Sequence, residues 1–118
     1  MGGLVSRYYL EKLGGQETVP VLITLGTPHL GTEKARTGVG PAARQMVPGS
    51  EFLGRLKNER STKTRVFAFW SNWDSMVIPP QNAALEDSNI PVHHLGHNGF
   101  LFSRKVANLV YKILVGQD

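Results

Sequence analysis

Val19-Pro20-Val21-Leu22-Ile23-Thr24-Leu25-Gly26-Thr27 is the stretch on which the fold turns. Its apolar run, Val19 to Leu25, is broken only by Pro20 and Thr24 and does not alternate. A strand apolar at successive residues is covered on both faces, which is the condition of a parallel sheet. Pro20 fits the first residue or two of such a strand, where a missing N–H matters least. The run feeds Gly26-Thr27-Pro28-His29-Leu30-Gly31-Thr32, a loop at the strand's carboxyl end. Open α/β sheets place their ligand-contacting residues at such ends.

Upstream of this strand, Leu4, Val5, Tyr8, Tyr9 and Leu13 recur at helical spacing, with Arg7, Glu11 and Lys12 elsewhere on the wheel. The spacing predicts a helix over residues 3–13, stopped by Gly14-Gly15, since glycine accepts the left-handed cap conformation. Gly2-Gly3 at its start permits close approach to a neighbouring strand and leaves backbone N–H groups facing outward.

Downstream, residues 31–49 are rich in glycine and proline and form an irregular excursion of the kind that walls or covers a site. Within it, Pro41 to Met46 reads as one or two helical turns beginning on proline. Ser50 then caps a short helix, Glu51 to Lys57. Thr64 to Trp70 is the second strand and Ser71-Asn72-Trp73-Asp74-Ser75 the loop at its end. Asn82 to Leu85 reads as a helical turn, and Asn89 to Leu95 as the third strand. Gly96-His97-Asn98-Gly99 follows, a histidine on a tight glycine-flanked loop. The final helix, Ser103 to Val115, carries Phe102, Val106, Leu109, Val110 and Ile113 on one stripe. Helices alternating with apolar strands predict an α/β fold of three parallel strands with flanking helices.

The chain has 118 residues, which allows one domain at most. Hydrophobic residues are 41% and charged residues 19%, the balance of a globular protein. No apolar run reaches the ~18 residues of a bilayer span, so stable membrane insertion is not expected. Without cysteine, disulfides, thiol catalysis and zinc–thiolate sites are excluded. The net charge of +4 is dispersed, dense only between Arg55 and Arg65, and lacks the aromatic interleaving of a nucleic-acid surface. Composition leaves the compartment open.

Asp74 follows the second strand and His97 the third. A Ser-His-acid triad needs an acid to orient a histidine, and a histidine to take a proton from a serine. In α/β-hydrolases these groups come in the order serine, acid, histidine, each on a loop after a strand. The positions of Asp74 and His97 match the last two.

Four segments carry a resemblance: Met1-Gly2-Gly3-Leu4-Val5-Ser6-Arg7-Tyr8-Tyr9; Leu25-Gly26-Thr27-Pro28-His29-Leu30-Gly31-Thr32; Asp74 with Met76-Val77; and Gly96-His97-Asn98-Gly99-Phe100-Leu101. In this order they resemble the C-terminal half of α/β-hydrolase lipases and esterases, the bacterial group whose nucleophile motif reads Gly-His-Ser-Met-Gly-Gly. The resemblance implies that residues 1–118 are a partial α/β-hydrolase domain, truncated just after the nucleophile serine. It implies Asp74 as triad acid, His97 as general base and the backbone N–H of Met1 as one oxyanion donor. It also implies an ester or lipid substrate and no cofactor.

The remaining candidates read more plainly. Trp73 is a candidate wall of the acyl or alcohol pocket, or a packed surface aromatic. Asp87 is a rival acid, but lies before the third strand, at the other sheet end. His93 and His94 are read as strand residues, one on a sheet face and one under a helix; as strand neighbours they point to opposite faces and do not share a metal. His29 braces its loop by hydrogen bonds. Ser6 lies inside the first helix and cannot replace an elbow serine. Two functional readings follow. One is the C-terminal portion of a serine carboxylic-ester hydrolase with its serine upstream. The other is a non-catalytic truncated product or remnant that binds acyl ligands or a protein partner. In the chain alone, the strand Val19 to Leu25 would present an uncovered edge, where the nucleophile strand should lie, open to self-association.

Overall fold

A computed structural model describes residues 1–57, 63–85 and 89–116. Among the described residues seven regular elements follow one another: α1 (Gly2–Lys12), β1 (Val21–Leu25), α2 (Pro41–Gln45), α3 (Glu51–Lys57), β2 (Arg65–Trp70), β3 (Asn89–Pro91) and α4 (Arg104–Val115). Short 3-10 turns intervene at Gly15–Glu17, Glu33–Thr37, Pro80–Ala83 and His97–Leu101. The sheet order is β1-β2-β3 and both pairings are parallel. Val21 pairs with Arg65 and Leu25 with Phe69; Ala68 pairs with Asn89 and Trp70 with Pro91. The predicted α/β class with three parallel strands and flanking helices is the fold observed.

Side chains alternate across the sheet, as a pleated strand requires. Phe67 and Phe69 of β2, with Ile23, Leu25 and Ile90, face α4 and pack with Phe100, Val106, Leu109, Val110 and Ile113. Val66 and Ala68 take the other face, with Leu22 and Leu85. A separate cluster joins α1 to α3 through Leu4, Leu53 and Leu56. The central strand is the most covered: Ala68 and Phe69 are fully buried, whereas the apolar residues of β1 are only half-buried.

Local chemistry sets the element ends. Ser103 Oγ accepts from Val106 N at the start of α4, and Ser50 Oγ from Leu53 N at the start of α3. β1 starts at Val21 rather than Val19, because Pro20 has no N–H and only its carbonyl joins the ladder, accepting from Arg65 N at 2.8 Å. The predicted turn at Asn82–Leu85 lies slightly earlier, at Pro80–Ala83.

Three expectations are corrected. The third strand does not reach Leu95. β2 ends at Trp70, so after Val92 N donates to Trp70 O the backbone ladder stops, and the chain turns through His93 and His94 (φ 69° at His94). Phe102 leaves the apolar stripe of α4: it sits just before the cap and is 85% exposed. On α1, Val5, Tyr9 and Leu13 face outward, while Leu4, Leu10 and the charged Arg7 are buried. Arg7 belongs inside because its guanidinium donates to Leu56 O at 2.8 Å, satisfying the last turn of α3.

Candidate active site

The carboxyl ends of the three strands converge on one place. After β2, the chain turns at Ser71 and presents Asp74. After β3, the turn through His93 and His94 delivers His97 at the head of a 3-10 turn. His97 Nδ1 and Asp74 Oδ2 lie 2.9 Å apart. The other carboxylate oxygen, Oδ1, accepts the backbone N–H groups of Met76 at 2.8 Å and Val77 at 3.1 Å. Asp74 is 3% exposed. Asp74 already accepts two backbone N–H groups on Oδ1, and an ionised carboxylate can only accept, so opposite it Nδ1 carries the shared proton. Nε2 is then the ring nitrogen with a lone pair left to accept a proton from a substrate or nucleophile.

His97 forms part of the wall of a cleft of ≈ 320 Å³. Met1, Gly2 and Gly3, at the start of α1, line it, together with Gly26, Thr27 and Pro28 from the loop after β1. Met46, Met76 and Val77 add apolar wall. The first N–H groups of a helix have no intrahelical acceptor and carry partial positive charge, so this wall favours negative charge. Met1 O already accepts from Leu4 N and Val5 N at 3.0 Å, which fixes Met1 at the helix start. Gly3 is needed for the approach: a Cβ there would lie 2.1 Å from Thr27 Oγ1.

The sequence candidates distribute as follows. His97 and Met1 line the cleft, and Asp74 is joined to it through His97. Trp73 does not: it is 61% exposed and sits edge-on to His94, with ring centroids 4.7 Å apart. Asp87 lies outside the described residues. His93 and His94 are exposed turn residues rather than strand residues; His93 Nδ1 accepts Asn72 N at 3.2 Å and its ring meets Trp70 edge-on. His29 braces its loop from a buried position, with Nε2 2.9 Å from Thr24 Oγ1 and Nδ1 3.4 Å from Arg7. Ser6 Oγ turns back to Gly2 O within α1. Among the described residues no cluster of three metal-binding side chains exists, and no helix is long and apolar enough to cross a membrane.

Two site residues escaped the sequence reading. Gly26 follows β1 with φ 65° and is buried against the pair: a Cβ would lie 2.9 Å from Asp74 Oδ2 and 3.1 Å from His97 Nδ1. A glycine directly after an apolar strand was the available signal. Thr32 was the other. Its hydroxyl donates to Met76 O and accepts from Ile78 N, both at 2.9 Å, tying the loop after β1 to the chain that feeds Asp74 its N–H donors. No signal short of the fold marks it. No family model matches the chain.

Proposed function

We propose that this chain carries the acid and the general base of a serine carboxylic-ester hydrolase of the lipase or esterase kind, its nucleophile supplied by a segment preceding Met1. The single observation behind this reading is the Asp74–His97 pair, 2.9 Å apart, its acid buried and its imidazole on the cleft where α1 begins. A carboxylate on Nδ1 fixes the tautomer that leaves Nε2 as a base and stabilises the imidazolium formed when that base takes a proton. The helix start that lines the same cleft is suited to a developing oxyanion. The apolar wall of Met46, Met76 and Val77 fits an acyl group.

A second reading has its own support. The cleft lining contains no serine among the described residues. By itself the chain would then bind acyl ligands without cleaving them.

The test joins the chain to the segment encoded upstream and assays p-nitrophenyl butyrate hydrolysis with stoichiometric fluorophosphonate labelling. Saturable turnover and labelling of a serine upstream of Met1 are expected. The 118-residue chain by itself should show neither. Turnover lacking in the joined protein would sink the hydrolase reading, and labelling of a serine within the chain would reassign the nucleophile.

A further inference from the structure

Asp74 and His97 sit on different loops, and the sheet alone does not hold those loops together: β3 is three residues long and ends at Pro91, six residues short of His97. What joins them is the first turn after β2. Ser71 is fully buried. Its hydroxyl oxygen accepts Trp73 N at 3.2 Å from its own loop and Leu95 N at 3.1 Å from the histidine loop. Its carbonyl accepts Asp74 N at 3.2 Å. Asn72 adds an outer pair, donating N–H to His93 Nδ1 at 3.2 Å and accepting His94 N at 3.4 Å through Oδ1.

We infer that Ser71 is a positioning residue for the Asp74–His97 pair, its hydroxyl acting as the pin that sets the acid loop against the histidine loop. The reasoning is geometric. One oxygen accepts an N–H from each loop, so the spacing of the loops is tied to the reach of a single buried atom. Asp74 lies three residues from that atom on one side, and Leu95 lies two residues before His97 on the other. A serine is the smallest residue that offers such an acceptor. Without the hydroxyl, the half-buried N–H of Leu95 loses its acceptor and turns to another, taking the following loop with it. Displacements of about 1 Å in a positioned pair cost roughly 10²-fold in rate.

The inference rests on reading Asp74 and His97 as an acid–base pair, yet its test does not need turnover. In the 118-residue chain, the His97 Nδ1 proton held by Asp74 should give a low-field ¹H NMR resonance, which Asp74→Asn would abolish. Ser71→Ala is expected to lose or broaden that resonance while the signals of Phe69, Phe100 and Val106 in the core stay in place. Ser71→Thr, which keeps the hydroxyl, should restore it at least in part. A resonance unchanged in Ser71→Ala overturns the inference. So does global loss of core signals in Ser71→Ala, since the hydroxyl would then support the whole fold rather than the pair. A hydrolase reading that failed for want of turnover would leave these NMR outcomes untouched.

Discussion

Gly26 stands against Asp74 so closely that one added methyl group would fall 2.9 Å from the carboxylate oxygen that holds His97. The end of β1 thereby becomes the floor on which the pair from the two later loops rests, and all three strand ends contribute to one site.

Gly26→Ala should therefore be costly twice over. At φ 65° an L side chain is strained by about 1–2 kcal/mol, before any contact is counted. The added Cβ then presses Asp74 and His97 apart. A lowered urea midpoint together with loss of the low-field His97 proton is expected. Retention of both would mean that the floor yields without disturbing the pair.

On the proposed hydrolase reading, in a protein whose preceding segment supplies the serine, Asp74→Asn and His97→Ala should each lower kcat by roughly 10³- to 10⁵-fold, the range for loss of a triad member. Asp74→Asn puts an amide opposite Nδ1 and favours the wrong tautomer, while Oδ1 can still hold Met76 and Val77. Asp87→Asn should stay within a few-fold of the parent. Steady-state kinetics on the three variants decides the matter: a crippled Asp87→Asn beside a mild Asp74→Asn would reverse the assignment of the acid.

Much of this arrangement is legible in sequence because it follows from strand ends. The apolar runs around Ile23 and Phe67 mark two parallel strands, and Asp74 and His97 each lie on a loop beyond a strand, where such sheets keep their chemistry. The rest depends on partners distant in the chain. Arg7 looks like a solvent residue on a helical wheel, but its acceptor is Leu56 O, 49 residues on. His93 and His94 look like strand residues until β2 stops at Trp70 and leaves them no ladder. Trp73 sits on a turn, where no periodicity says which way a side chain goes, and it packs on His94 rather than into the cleft. Gly26 is visible as a glycine but not as a floor, since that role exists only once residues 74, 97 and 100 meet it.

Arg7 should prove a keystone of the α1–α3 packing. Its side chain and that of Glu11 are each 3% exposed and 3.5 Å apart. Arg7→Ala removes the donor to Leu56 O and leaves Glu11 buried without that cation. Breaking a buried ion pair from one side costs about 3–5 kcal/mol. Arg7→Leu combined with Glu11→Leu removes both charges and should be milder than Arg7→Ala alone. Denaturant unfolding of the two variants compares them. A single substitution that costs less than the double one would show that the pair carries little of the packing.

The last expectation concerns the outer edge of β1. In a parallel pair, successive residues of a strand point their backbone groups alternately to one neighbour and the other. Pro20 O and Gly26 N both bond to β2, accepting from Arg65 N and donating to Phe69 O. Leu22 and Thr24 share that parity, so Val21, Ile23 and Leu25 direct their N–H and C=O groups to the opposite edge. Among the described residues no strand pairs there. An open, apolar strand edge is a template for pairing with a second chain. Beside it, α1 contacts β1 and exposes Val5, Tyr9 and Leu13, which adds apolar surface to the same association. The 118-residue chain is therefore expected to self-associate in a concentration-dependent way in sedimentation velocity runs. Ile23→Pro deletes the central outward N–H and leaves the β1–β2 ladder whole, so it should shift the equilibrium toward monomer. Ile23→Ala loses the same packing against the core but keeps the N–H, so it should remain associated. If the parent sediments as a monomer at high concentration, or if the alanine and proline variants associate equally, the edge of β1 is not the contact.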